Sequence, residues 1–105
     1  MEWKNNIVNI IKNRTRVKSM IHETIKSKYK ELEKACNADS ELKSISEIRI
    51  IKYDTIRIDV DDIVISSDDV TKFLIEKGFT WNSITQIEIN EALESIIYTR
   101  IMETL

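Results

Sequence analysis

Proline is absent from this chain, glycine occurs once (Gly78), and cysteine and histidine occur once each (Cys36 and His22). Without Pro- or Gly-rich stretches there is no linker material, so the 105 residues read as one domain, 1–105, with room for a single small core. A lone glycine also excludes the Gly-rich loops that cradle phosphates in nucleotide enzymes. One cysteine cannot form an internal disulfide, which suits a reducing, cytoplasmic setting. The longest apolar run is a few residues, and MEWKNNIVNIIKNR has neither a long apolar core nor a small-residue cleavage site, so neither a membrane span nor a leader is expected.

What the chain does have is charge, and it is segregated. Residues 1–36 hold nine basic and four acidic residues, a balance of +5, whereas residues 37–105 hold seven basic and fourteen acidic, a balance of −7. Such a split bears on partners and association rather than on topology. The content of 42% hydrophobic and 32% charged residues is that of a folded globular chain.

From Trp3 to Cys36 apolar residues recur at helical spacing (Trp3, Ile7, Ile10, Ile11, Val17, Met20, Ile21, Ile25, Tyr29, Leu32, Cys36), which predicts one long helix over 1–36. Some 33 residues span roughly 50 Å, about twice the diameter of a compact domain of this size. Part of that helix must overhang, bend or pair. The polar run Asn13, Arg14, Thr15, Arg16 is the place where that helix could kink or break. Asn37 is a candidate left-handed cap at its end, in the polar break 37–40.

Residues 45–66 are dense in Ile, Val and Tyr. Ile56, Ile58 and Val60 alternate with Arg57 and Asp59, as in a strand with one wet face. A three-strand antiparallel meander over 45–53, 55–60 and 63–66 follows, with turns at Asp54-Thr55 and Asp61-Asp62 and a bulge where Ile50 and Ile51 break the alternation. Ser67 is the candidate N-cap of a helical pair over 67–105. Asp68 and Asp69 sit in the first turn, Gly78 at the C′ position, and Ser83-Ile-Thr-Gln86 forms a capping box for a last helix over 84–103. The predicted fold class is α+β.

No catalytic, metal or nucleotide motif is present, no cofactor is implied, and no enzyme activity is expected. His22 has no nucleophile at fixed spacing. Cys36 reads as a small packed residue rather than an activated thiol. Asp59, Asp61 and Asp62 lack the glycine and distal glutamate of an EF-hand loop and read as solvated turn residues.

Two charge clusters remain as candidate surfaces. Lys12, Arg14, Arg16 and Lys18 could contact nucleic acid, but on a helix Lys12 and Arg16 lie about 160° from Arg14 and Lys18, a poor phosphate track. That reading suits a dimeric regulator paired through the N-terminal helix. Asp54, Asp59, Asp61, Asp62, Asp68 and Asp69 fall within sixteen residues, at expected turns and a helix start. They offer a negative face to a basic, nucleic-acid-binding protein.

The segment 44–82, SISEIRIIKYDTIRIDVDDIVISSDDVTKFLIEKGFTWN, resembles the core of small phage-encoded anti-CRISPR proteins of the type II-A group. There too a short antiparallel sheet ends in a "VIS" strand, a Ser- and acid-rich helix start follows, and the helix closes on Gly and Trp. The resemblance implies an inhibitor whose DNA-like acidic surface blocks a nuclease's DNA-binding groove, and it points to Asp59, Asp61, Asp62, Asp68 and Asp69. The long basic helix lies outside it.

Overall fold

The computed structural model describes residues 2–45, 48–58 and 61–103. Helix α1 runs from Glu2 to Ala38 and is followed by a short helix α2 (Ser40–Ile45). Strands β1 (Ile48–Lys52), β2 (Thr55–Ile58) and β3 (Asp61–Val64) come next, then helices α3 (Ser67–Glu76) and α4 (Gln86–Glu103). The class is α+β, and the sheet is an antiparallel meander in the order β1-β2-β3.

The long N-terminal helix is continuous through residues 13–16. All 37 residues of α1 form one helix, about 55 Å long at 1.5 Å per residue. Arginine is a good helix former when exposed. Asn13 is held by a contact from outside the helix, its Nδ2 donating to Asn82 Oδ1 at 2.5 Å. The molecule is accordingly elongated, 62 × 21 × 20 Å with a radius of gyration of 16.4 Å, against about 13 Å for a compact chain of this length.

Asn37 is helical rather than a left-handed cap. The chain instead breaks at Asp39, whose carboxylate accepts from the backbone N–H groups of Glu41 (3.0 Å) and Leu42 (3.3 Å) and so caps α2. Ile45 therefore belongs to a helix and not to the first strand. The first hairpin turn is Tyr53-Asp54, with Thr55 already in β2, and the register slips between Ile50 and Lys52 at the expected bulge. Asp61 and Asp62 are strand residues rather than a turn, opposite Ile58 and Arg57. Asp59 and Val60 lie outside the described residues.

Side chains from the helices bond one backbone group on each outer strand of the sheet, where edge groups lack a neighbouring strand. Glu33 of α1 accepts from the Ile50 N–H at 2.7 Å. Arg100 of α4 donates to the Val64 carbonyl at 3.0 Å.

The N-cap of α3 is Ser66, one residue earlier than expected. The Asp69 N–H donates to Ser66 Oγ (3.2 Å) and the Ser66 N–H donates to Asp69 Oδ2 (2.9 Å), a complete capping box. At the other end Gly78 takes φ +94°. The Gly78 N–H donates to the Ile75 carbonyl at 3.0 Å and the Phe79 N–H to the Leu74 carbonyl at 3.1 Å, a Schellman closure. Gly78→Ala meets no steric clash, but a side chain in the left-handed region costs about 1 kcal/mol. Thermal unfolding should report that as a fall of about 5 °C in Tm.

Helix α4 starts at Gln86, two residues later than expected. Ser83 caps a turn instead, its Oγ accepting from the Thr80 N–H at 2.8 Å. Thr85 and Glu88 do the capping, with the Thr85 N–H donating to Glu88 Oε2 at 3.0 Å and the Thr85 hydroxyl donating to the same carboxylate. The hydroxyl contact holds the half-buried Glu88 carboxyl below the usual glutamate range.

The core is built from Val17, Ile21, Ile25 and Tyr29 of α1, Ile56 and Ile63 of the sheet, Ile65, Val70 and Leu74 around α3, and Ile84, Ile89, Ala92, Leu93 and Ile96 around α4. Nothing before Val17 joins it. The body thus rests on the second half of α1, and the first half projects beyond it.

Candidate interaction surfaces

The acidic set is largely matched within the chain. Arg57 and Asp62 face each other across β2 and β3 in a two-pronged ion pair, Nε to Oδ1 at 2.7 Å and Nη2 to Oδ2 at 3.2 Å. That contact holds the Asp62 carboxyl below, and the Arg57 guanidinium above, their usual ranges. Both side chains remain open to solvent on one side, so the pair orders the surface more than it stabilises the fold.

Asp68 lies 3.7 Å from Lys18 Nζ, and Asp69 is engaged by Ser66 and approached by Arg100 at 3.6 Å. Of the described carboxylates in the set, Asp54, which accepts from the Thr55 hydroxyl at 3.2 Å, and the exposed Asp61 make no ion pair among the described residues. Asp59 lies outside them. The structure therefore brings Arg57, Lys18 and Arg100 to the acidic residues. Their places in the sequence do not announce this, because the pairing depends on strand register and on helices distant in the chain.

The basic set behaves differently. Lys12, Arg14 and Arg16 are exposed, and Lys18 is half-buried beside Asp68. Arg16 Nη1 rests on Met20 Sδ at 3.4 Å. No ion pair reaches Lys12 or Arg14 among the described residues.

These cations sit on a surface that charge counting misses. Between Glu2 and Lys12 every side chain of α1 is exposed. Trp3 is 65% exposed, Ile7 48%, Val8 48%, Ile10 46% and Ile11 54%. At 100° per residue, positions 18 apart share a bearing on the helix. Trp3, Ile7 and Ile11 therefore lie directly in line with Ile21, Ile25 and Tyr29, which are 0%, 2% and 0% exposed. The projecting arm repeats the pattern of the core-facing half with nothing placed over it. An apolar strip of this kind on a helix is characteristic of a surface that packs against another element.

The single-residue candidates are structural. His22 sits edge-on to Tyr53, ring centroids 4.1 Å apart. Cys36 is half-buried against the core, and burial followed by the Asp39 charge pushes its thiol up, away from a reactive thiolate. Among the described residues no cluster of His, Cys, Asp or Glu could hold a metal ion. No described helix is long and apolar enough to cross a membrane. The groove between α1 and α4, about 380 Å³, is lined by Lys28, Leu32, Glu94, Ile97, Tyr98 and Ile101 among others, and carries no nucleophile-base pair. No protein family, curated protein or solved structure matches this chain.

Proposed function

We propose that this protein is a non-enzymatic protein-interaction module whose contact surface is the projecting half of α1. The observation that supports this most directly is the apolar strip Trp3, Ile7, Ile10, Ile11, solvated over its length although it continues the core-facing side of the same helix. Helix-on-helix packing is the recognition mode such a strip suits. An inhibitor that occupies a larger nucleic-acid-binding host protein, as the resemblance of segment 44–82 implies, belongs to this class. Its acidic docking face is the weaker contact, because Arg57, Lys18 and Arg100 already oppose Asp62, Asp68 and Asp69.

Affinity capture tests the assignment. Wild-type bait should retain a stoichiometric protein partner, and Ile7→Asp bait should lose it by at least tenfold, since a charge in an apolar contact centre is left unpaired on binding. A partner held equally by both baits, or released only when Asp61, Asp62 and Asp68 become Asn, would sink the arm as the contact surface.

A second reading rests on the exposed Lys12 and Arg14, which no ion pair reaches among the described residues. They are available to phosphates, and with Arg16 and Lys18 they would give a weak, salt-sensitive and sequence-independent contact. Retention of labelled DNA at physiological salt, abolished by alanine at all four positions, is the outcome that would put this reading first.

A further inference from the structure

We infer that the partner of the arm is a second copy of this chain, with the two arms packed antiparallel. This rests on the arm being a contact surface and identifies its occupant. The strip advances by four, three and four residues through Trp3, Ile7, Ile10 and Arg14, the spacing by which two helices interlock side chains along a seam.

The relative direction follows from where the body sits. Ile21 shares the bearing of Trp3 and is fully buried, so body and strip lie on the same side of α1. Two arms packed in parallel would force both bodies into the space between the helices. Packed antiparallel, the bodies fall at opposite ends.

The length of the arm sets the overlap. Arg14 is exposed and Val17 is fully buried, so the uncovered strip ends within one turn after Arg14. Full overlap therefore stacks Trp3 of one copy on Arg14 of the other and Ile7 on Ile10, in four layers related by a two-fold axis. This gives the one charge in the strip a partner. Trp3 already carries the Lys4 ammonium 5.6 Å from its ring, and a guanidinium stacks on the same kind of face. The two strips together bury on the order of 1,000 Å², at the lower limit for a specific contact. Half-association is accordingly expected on the order of 10–100 µM.

Sedimentation of the full chain from about 1 to 300 µM, bracketing that range, should show its mass rising from monomer toward dimer. Ile7→Asp should stay monomeric with an unchanged melting curve at low concentration. In a Cys36→Ser background, Trp3→Cys and Arg14→Cys chains mixed and oxidised should form a disulfide-linked pair. Neither should link to itself, because like positions are about eleven residues, or ~16 Å, apart along the seam. A wild-type monomer throughout, or Trp3→Cys linking to itself, overturns the antiparallel pair. A monomer whose arm still loses a different protein on Ile7→Asp overturns this inference and leaves the interaction module standing. A monomer that loses nothing overturns both. Co-sedimentation of a monomeric wild type with anionic phospholipid vesicles, lost on Ile7→Asp, would assign the strip to a lipid surface and likewise overturn the pair.

Discussion

Tyr29→Ala is expected to leave the protein only marginally stable at room temperature. Tyr29 is the largest fully buried side chain and stands where α1 meets the sheet. Its hydroxyl reaches the Asp54 carbonyl at 3.4 Å, and that carbonyl also accepts from the Ile65 N–H at 2.9 Å. Truncating a buried aromatic costs about 3–5 kcal/mol in lost transfer energy and cavity formation. A domain of this size has roughly 5–15 kcal/mol to lose. The elongated shape places this one in the lower part of that range, because α1 before Val17 contributes nothing to the core. Denaturant titration followed by far-UV circular dichroism should find the variant without a native baseline. A folded variant within about 1 kcal/mol of wild type would show that the core does not depend on this junction.

The same residue links stability to alkaline pH. Burial, reinforced by the Asp54 charge, raises the Tyr29 phenol above its usual range near 10. Above pH 10 the unfolded chain releases this proton while the native chain keeps it, so the unfolded state binds fewer protons and stability falls as pH rises. Below pH 10 the contribution is fully present. Tyr29→Phe loses a long hydrogen bond, about 1 kcal/mol or less, and should lack this component of the alkaline loss. The difference between the two unfolding curves, measured from about pH 8 to 11, isolates it from the rest of the alkaline loss.

Much of the fold is legible in one dimension. Apart from the short helix α2, which no periodicity announces, the order of elements follows from where period 3.6 gives way to period 2 and back, and the bulge at Ile50 and Ile51 is visible as a break in alternation. Gly78 marks the end of α3 because a left-handed residue is needed there. The misplaced boundaries have physical causes. Ser66 and Ser67 are equivalent as hydroxyls, and the three-residue spacing to Asp69 selects Ser66. The spacing from Thr85 to Glu88 likewise outcompetes Ser83 and Gln86, because Ser83 is already used by the Thr80 turn. Asp61 and Asp62 look like turn residues by composition, but Arg57 across the ladder lets Asp62 occupy a strand.

The candidate surface is the least legible part. Periodicity reports which side of α1 is apolar but not how far along the helix the body extends. Ile7 and Ile25 have the same bearing and identical chemistry, so no local pattern separates them. Only packing of the sheet, α3 and α4 against residues 17–29 does so.

That equivalence yields the second large effect. Ile25→Asp should abolish folding, since it strands an unpaired carboxylate among Ile21, Tyr29 and the sheet, a change of more than about 4 kcal/mol. Ile7→Asp, one turn-aligned repeat earlier, should alter monomer stability by less than about 0.5 kcal/mol. Chemical denaturation of both variants at low protein concentration measures the contrast. If Ile7→Asp proved as damaging as Ile25→Asp there, the arm would have to be covered by its own chain, and its role as a surface for a partner would fall. If instead the Ile7→Asp penalty appeared only as wild-type concentration rose, the lost stability would be that of an intermolecular contact, because binding to the native state adds stability in proportion to the logarithm of ligand concentration. The same substitution therefore reads core, free surface or shared interface according to whether and how its cost depends on concentration.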